Sequence, residues 1–532
     1  MVIQAAEKLG IFIPRYCYHP GLSIAGNCRI CLVEVEKNPK LQIACNLPVA
    51  EGMVVQTQNS KVNQGREAVL EFLLINHPLD CPVCDQSGEC DLQNFYMGYG
   101  LYDARFREQK VKKPKAVPVG PTVMLDAERC ILCSRCVRFT DEVSKTGEFG
   151  IFNRGDQAVV GLYPDKVLDN KYSGNVVDIC PVGALTDRDF RFKARVWYLS
   201  SAPSVCPGCS QGCNIDIHYV TDRPHLSGGA RVMRLKPRYN AEVNQWWICD
   251  EGRYGYKFID QGRLRKVLFR GKEISWEKAI GELSGYLAHL TPENRKQSIG
   301  VIASAQLTTE ELFLVRKLFK ESLGIAHCFA QVPTKPGTSD NFLIKADKNP
   351  NTMGAALLGL AGNGSPSATE LIEQAVAGRI KTLWVFGHDL VALFGEEKVK
   401  ELAKKLELFV FQGSNENGSS RYAHWVLPSA VFAEKEGTFV NCQGRVQRIV
   451  KAFEPLGESK ADWQILLELF QGLKIPVSYA HPKEIFAALA QAEPAFSGLT
   501  YEKIGLEGMS LRGANATKQS QGEITSPLRG SQ

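Results

Sequence analysis

Fifteen cysteines and one histidine in this 532-residue sequence have the spacing of metal ligands. Of 17 cysteines, 15 lie between Cys17 and Cys249, and only Cys328 and Cys442 follow. The chain is long, repeats the C-x2-C spacing, and opens on "MVIQAAEKLGIF" without a charged-then-apolar leader pattern. In a reducing compartment such groups are metal ligands far more often than disulfides. Cys328 and Cys442 stand alone and read as ordinary buried cysteines.

The first group is Cys17-x10-Cys28-x2-Cys31-x13-Cys45. A four-thiolate zinc site is the plain alternative. The long first spacing and a loop made flexible by Gly21 and Gly26 suit a [2Fe–2S] ferredoxin better. The second is His77-x3-Cys81-x2-Cys84-x5-Cys90. By itself His77 reads equally as a turn or capping residue of "NHP". With three thiolates and no fourth nearby, one iron lacks a protein ligand and the histidine is the nearest candidate. A neutral imidazole leaves a cluster one unit less negative and raises its potential, as in Rieske centres.

The third group is Cys130-x2-Cys133-x2-Cys136, then 43 residues, then Cys180-Pro181. That is the bacterial ferredoxin arrangement for a cubane, and three cysteines so close crowd a tetrahedral zinc. The fourth is Cys206-x2-Cys209-x3-Cys213, with Cys249 after a further 35 residues. A [4Fe–4S] cluster fits it, and zinc stays open.

The elements that must position these ligands follow from pattern. Residues 2–10 read as a short helix, and Pro14 to about Val55 as loop and strand around four cysteines. "KVNQGREAVLEFLLINHP" reads as a helix with Val69, Phe72, Leu73 and Leu74 on its apolar side. The Pro- and Lys-rich residues 111–121 read as a linker. From about 258, strands and helices alternate. "SIGVIASA" precedes a helix that Thr308 or Thr309 caps ahead of Glu310 and Glu311, while "KTLWVFGHDL" and "LELFVFQG" are buried strands. This is an α/β pattern with a parallel sheet. Residues from about 510 are polar and tail-like, read as disordered.

Bulk properties narrow the function. The balance of 63 basic against 57 acidic residues, a formal +6, contains no basic block of the kind nucleic-acid binders carry. The longest apolar runs are strand-sized, short of the roughly 18 residues that span a bilayer. The expectation is a cytoplasmic, soluble chain that binds no nucleic acid.

Together these stretches resemble a known family. "PRYCYHPGLSIAGNCRICLVEVE", "HPLDCPVCDQSGECDLQ", "ERCILCSRCVRF", "DICPVGAL" and "CPGCSQGCNI" are similar, in order, to the large iron–sulfur subunit of respiratory complex I, in bacteria the G subunit of NADH-quinone oxidoreductase. "VLPSAVFAEKEGTFVNCQGRVQRI" resembles that family's degenerate molybdopterin-oxidoreductase domain. The resemblance covers about residues 1–475. It implies a multidomain α+β and α/β chain. A 2Fe-2S ferredoxin-like β-grasp domain would span 1–60, and a 4Fe-4S domain with one histidine and three cysteine ligands 61–110. A 4Fe-4S ferredoxin-like domain over 111–197 and a 4Fe-4S domain of molybdopterin-oxidoreductase type over 198–257 follow. A reduced molybdopterin-oxidoreductase-like α/β domain over 258–475 and a partly disordered extension over 476–532 complete it.

By the same resemblance, Cys17, Cys28, Cys31 and Cys45 hold a [2Fe–2S] cluster, and His77, Cys81, Cys84 and Cys90 a [4Fe–4S] cluster. Cys130, Cys133, Cys136 and Cys180 hold a second cubane. Cys206, Cys209, Cys213 and Cys249 hold a third, found only in some members and off the main electron path. Three departures stand out. The family's two strands before the first helix are missing, so the ferredoxin domain reads as truncated at its start. "TDRPHLSGGARV" reads as inserted before Cys249. The C-terminal domain is short and offers no metal-binding Cys or Ser, so no molybdopterin is expected and the domain reads as structural and docking.

The implied function is electron transfer within NADH:quinone oxidoreductase, from an NADH/FMN site on a partner subunit toward quinone. No substrate site is expected on this chain. The implied partners are the flavin subunit and the downstream iron–sulfur and quinone-site subunits, with the complex attached to the inner face of the plasma membrane. The alternative is a diaphorase-type subunit of a soluble NAD-linked hydrogenase or formate dehydrogenase. A zinc scaffold is the reading from a different class.

Overall fold

In the computed structural model the described residues are 1–101, 103–223, 225, 228–331, 339–361 and 368–511. They fall into two compact units, one of residues 1–201 and 215–257, the other of 202–214 and from 258 onward. The tail expected beyond 510 lies outside the described residues except for Leu511, as does part of the expected insertion at 221–232. Among the described residues no helix is long and apolar enough to cross a membrane.

The first unit opens on α1 (Val2–Lys8), whose Val2, Ile3 and Ala6 pack with Ile13, Tyr18, Val33 and Ala44. Strands β1 (Leu32–Val35), β2 (Gln42–Ile43) and β3 (Val55–Gln56) form an antiparallel sheet ordered β2-β1-β3, with Leu32 opposite Ile43 and Val35 opposite Val55. Helix α2 (Ser60–Leu74) starts where the Asn59 side chain accepts the Val62 amide at 2.9 Å. Its buried side is Val62, Arg66 and Leu70 rather than the expected run; Val69, Leu73 and Leu74 are partly buried, and Phe72 is 75% exposed. Arg66 is tolerated inside because one guanidinium nitrogen donates to the Leu32 and Thr57 carbonyls, at 3.0 and 2.9 Å, while its plane lies over Tyr99.

Helix α3 (Asp91–Tyr99) packs on α2. Residues 111–121, expected as a linker, are tied down. β4 (Val117–Pro118) pairs with β5 (Val123–Leu125), which pairs with β8 (Leu185–Asp187). Lys115 reaches Glu128 at 2.9 Å and Asp80 at 3.1 Å. Between β5 and β8 lie α4 (Arg135–Arg138) and a hairpin of β6 (Phe149–Phe152) and β7 (Val159–Leu162).

The second unit is built on a seven-stranded sheet. Its parallel core joins Ile299–Ser304, His327–Gln331, Thr382–Phe386, Leu408–Gly413 and Trp425–Pro428, as the alternating pattern predicts. Successive side chains separate to opposite faces. Val301, Trp384, Phe386 and Val410 enter one core, and Ile302, Leu383, Val385, Phe409 and Phe411 the other. Helices cover both faces, so these strands are buried along their whole length and mostly apolar. Thr308 is the helix cap, sharing a capping box with Glu311.

Candidate metal centres

In the first group, Cys17, Cys31 and Cys45 are fully buried. The Cys17 amide donates to the Cys28 sulfur at 3.4 Å. Thiol hydrogen bonds from Cys28 and then Cys45 hold Cys17 well below the usual thiol range, and one from Cys45 lowers Cys31. The four sulfurs thus form a chain of contacts. The loop closes through residues in the left-handed region, Gly26 at φ 64° and Arg29 at φ 61°. Gly21 has another job from the expected one. A Cβ there would stand 2.7 Å from the Trp246 ring, so the residue allows close approach rather than flexibility.

In the second group Cys81 is exposed and opens a 3-10 turn, whereas Cys84 and Cys90 are buried and Cys90 caps α3. His77 follows α2. Its Nδ1 is buried without a hydrogen-bond partner, and burial pushes its pKa down to about 4, keeping the imidazole neutral. A neutral, unpartnered ring nitrogen is what a metal ligand requires. Gly183 packs on this group from the third: a Cβ there would lie 2.3 Å from the Cys84 sulfur. Glu89, beside Cys90, is gripped by both Arg234 nitrogens at 2.8 Å.

The third group lines one pocket. Cys130, Cys133, Cys136 and Cys180 line it together with apolar Leu125, Val160 and Val182. The backbone wraps under strain, with Leu132 at φ 54° and Ser134 at φ 59°, each between two cysteines. Non-glycine residues enter that region at a cost of about 1–2 kcal/mol, and such strain concentrates at functional sites. The Leu132 amide donates to the Cys130 sulfur at 3.4 Å. Burial pushes the Cys130 thiol up to about 12 and Cys133 to about 11. A thiol this reluctant to ionise becomes a ligand when a metal displaces its proton.

For the fourth group, Cys206, Cys209 and Cys213 lie buried in the second unit, where the Cys206 amide donates to the Cys213 carbonyl at 2.8 Å. Cys249 belongs to the first unit, buried and capping the helix Asp250–Tyr254, with the Gly252 amide on its sulfur at 3.3 Å. Cys328 is buried as expected, but Cys442 is exposed: it sits in the turn between Gly437–Val440 and Arg445–Ile449, with its amide on the Ser210 carbonyl.

Among the described residues no three His, Cys, Asp or Glu side chains converge on one ion position. A multi-iron cluster, bound at separate corners, does not require that convergence. The strained C-x2-C turns, the amides on sulfur, the unpartnered His77 nitrogen and the four-thiol pocket all fit iron–sulfur ligation. The residues missed from sequence are those that join the groups. Arg129 forks onto Asp80 at 2.7 and 3.1 Å, and Arg138 reaches the Cys17 carbonyl at 2.6 Å. Arg135 reaches the Tyr18 carbonyl at 2.7 Å, and Tyr16 is fully buried with an unpartnered hydroxyl. The placing of Arg129, Arg135 and Arg138 around "CILCSRC" was the available signal.

Family models match in the same order as the cysteine groups. A 2Fe-2S iron-sulfur cluster binding domain matches residues 1–60, and the NADH-ubiquinone oxidoreductase-G iron-sulfur binding region 66–105. The ferredoxin-like domain of NADH-quinone oxidoreductase subunit 3 matches 120–186, the molybdopterin oxidoreductase Fe4S4 domain 199–261, and molybdopterin oxidoreductase 349–471. With the mixed α/β fold, these define a multidomain iron–sulfur protein ending in an α/β region of molybdopterin-oxidoreductase type. The NADH-quinone oxidoreductase G subunit of Rickettsia bellii is 31% identical over 94% of this chain and 88% of its own length. The NADH-ubiquinone oxidoreductase 78 kDa subunit of Candida albicans is 31% identical over 93% and 83%. The chain belongs to the family of NADH-quinone oxidoreductase G subunits, components of an oxidoreductase complex. A crystal structure of an NAD+-reducing [NiFe]-hydrogenase is 30% identical over 37% of this chain and 83% of that one, with a TM-score of 0.34; at that score the likeness supports no functional reading.

Proposed function

We propose that this chain is the electron-relay subunit of an NADH-quinone oxidoreductase, carrying electrons from a flavin on a partner subunit toward quinone on others. Cys17, Cys28, Cys31 and Cys45 would hold a [2Fe–2S] cluster. His77, Cys81, Cys84 and Cys90 would hold a [4Fe–4S] cluster, Cys130, Cys133, Cys136 and Cys180 a second, and Cys206, Cys209, Cys213 and Cys249 a third.

One observation carries the reading: side chains of three groups pack into one apolar cluster. Cys17, Cys90 and Cys133 are buried there with Tyr16, Leu70, Phe95 and Val182, and Cys28, Cys130 and Cys180 pack against it. Iron–sulfur clusters, when bound, supply one-electron carriers. The chain's own residues then keep the carriers close, exclude water between them, and aim backbone amides at the sulfurs, which raises potentials. The second unit would serve structure and docking without molybdopterin, and the whole would sit peripherally on the inner face of the membrane through its partners.

The test is purification of the native assembly, with metal analysis and identification of neighbouring subunits. A flavin subunit, membrane subunits and about 14 irons per chain support the reading; about 10 irons would remove the fourth cluster alone. A nickel subunit would replace it with the diaphorase alternative, stoichiometric molybdenum or tungsten would overturn the assignment of the second unit, and mostly zinc would reject the relay.

A further inference from the structure

Three arginines surround the third group, and they differ in what neutralises them. Arg129 is forked onto the Asp80 carboxylate. Arg138 is half-buried and reaches the Ser23, Cys17 and Cys133 carbonyls. Arg135, between Cys133 and Cys136, is only 7% exposed and lines the pocket of the four thiols. Its Nη1 donates at 3.0 Å to the Ile179 carbonyl, directly before Cys180. Its Nη2 donates at 2.7 Å to the Tyr18 carbonyl, directly after Cys17. Its Nε has no partner.

Both occupied ends therefore bind neutral carbonyls, and among the described residues no carboxylate forms an ion pair with it. The acid whose field reaches it is Asp91, half-buried at the start of α3. A buried guanidinium without a counterion is costly and persists where negative charge is supplied in another form. The thiols within its field are Cys133 and Cys180 of the third group and Cys28 of the first. Thiolate-ligated clusters supply that negative charge, and each gains one more on reduction.

We propose that Arg135 is a positioning residue shared by the first and third centres, a fixed cation that favours the reduced state of both while its fork holds the backbone beside Cys17 and Cys180 in register. The inference rests on the relay reading above. Arg135 exchanges neither electron nor proton, since its guanidinium stays charged at every accessible pH. It biases the one-electron equilibria on either side of it.

The test uses the full chain carrying Arg135→Gln or Arg135→Lys, analysed for iron and titrated potentiometrically with EPR detection. Arg135→Gln lowers the reduction equilibrium of both centres about tenfold, or about 59 mV for a one-electron couple. Arg135→Lys, which keeps the charge, restores the wild-type potentials. Unmoved potentials in Arg135→Gln, or an equal fall in Arg135→Lys, overturn the assignment. Should Gln strip the centres, Lys decides alone: wild-type potentials uphold the role of the charge, and a fall at either centre overturns it. Wild-type protein lacking iron in these groups defeats the relay reading itself, whereas intact centres with unmoved potentials defeat only the role of Arg135.

Discussion

Gly183 offers the sharpest test of the second group, because its effect is set by a single distance. A Cβ at this position would lie 2.3 Å from the Cys84 sulfur and 3.1 Å from the Gln86 Cβ. Carbon contacts optimise at about 3.5–4.0 Å, so Gly183→Ala must drive the sulfur away by more than about 1 Å. Overpacking of this kind costs about 1–3 kcal/mol in a closed core. The cost in metal binding is larger, since ligand distances tolerate only about 0.2 Å. The expected product is a folded chain that has lost the cluster of His77, Cys81, Cys84 and Cys90, about four irons fewer than wild type, with the other EPR signals kept. Gly98→Ala is the control: it lies in α3 with nothing within 4 Å of its Cβ, and should retain all iron while gaining about 0.5–1 kcal/mol. A Gly183→Ala chain with full iron and an unchanged spectrum refutes the reasoning, for Cys84 would then not be a fixed ligand.

His77→Cys should keep a cubane and lower its potential by adding a negative ligand; an EPR-monitored titration without a shift counts against imidazole ligation. Glu310 is fully buried, accepting from Tyr501 at 2.6 Å and the Thr438 amide at 2.8 Å, and burial raises its pKa from 4.5 to about 7. Its folded-state value is the higher one, so its contribution is complete below about pH 4.5 and is lost as pH rises through 7, about 3 kcal/mol in all. Denaturant midpoints of wild type should fall relative to Glu310→Gln between pH 5 and 8, and a constant difference would contradict this. Lys435 is held between Glu311, at 2.7 Å, and Asp462, at 3.0 Å, with all three buried. Lys435→Met strands two carboxylates and should cost about 3–5 kcal/mol, read by chemical denaturation; a loss under about 1 kcal/mol would show that the pair is hydrated.

Cysteine spacing and strand alternation are local properties, and both are legible in the sequence. The parallel strands of the second unit and the Thr308 cap follow directly from periodicity and capping chemistry. The side of α2 that faces inward did not, because its apolar residues cover more than one side and tertiary packing chose Val62, Arg66 and Leu70. Arg66 was invisible as a core residue, since what satisfies it are the Leu32 and Thr57 carbonyls, set by the fold rather than by neighbours in sequence. Cys442 misled for a similar reason: a lone cysteine is commonly buried, but this one lies in an exposed hairpin turn. The positive φ of Leu132 and Ser134 carries no compositional mark at all.

The segment from Arg129 to Arg138 does more than supply three thiols. Its arginines reach Asp80 beside Cys81, and the carbonyls of Tyr18 and Cys17 in the first group. Hydrogen bonds of charged groups contribute about 1.5–3 kcal/mol each, enough for several to hold two loops against a third. Separation and charge are therefore coupled in this unit: Arg129 and Arg135, which tie the second and first groups to this segment, are also cations whose fields reach Cys84 and Cys28. A substitution that retunes a potential by removing such an arginine also loosens the spacing, and the two properties vary together along this relay. Arg135→Lys is informative for that reason, because it breaks the fork and keeps the charge.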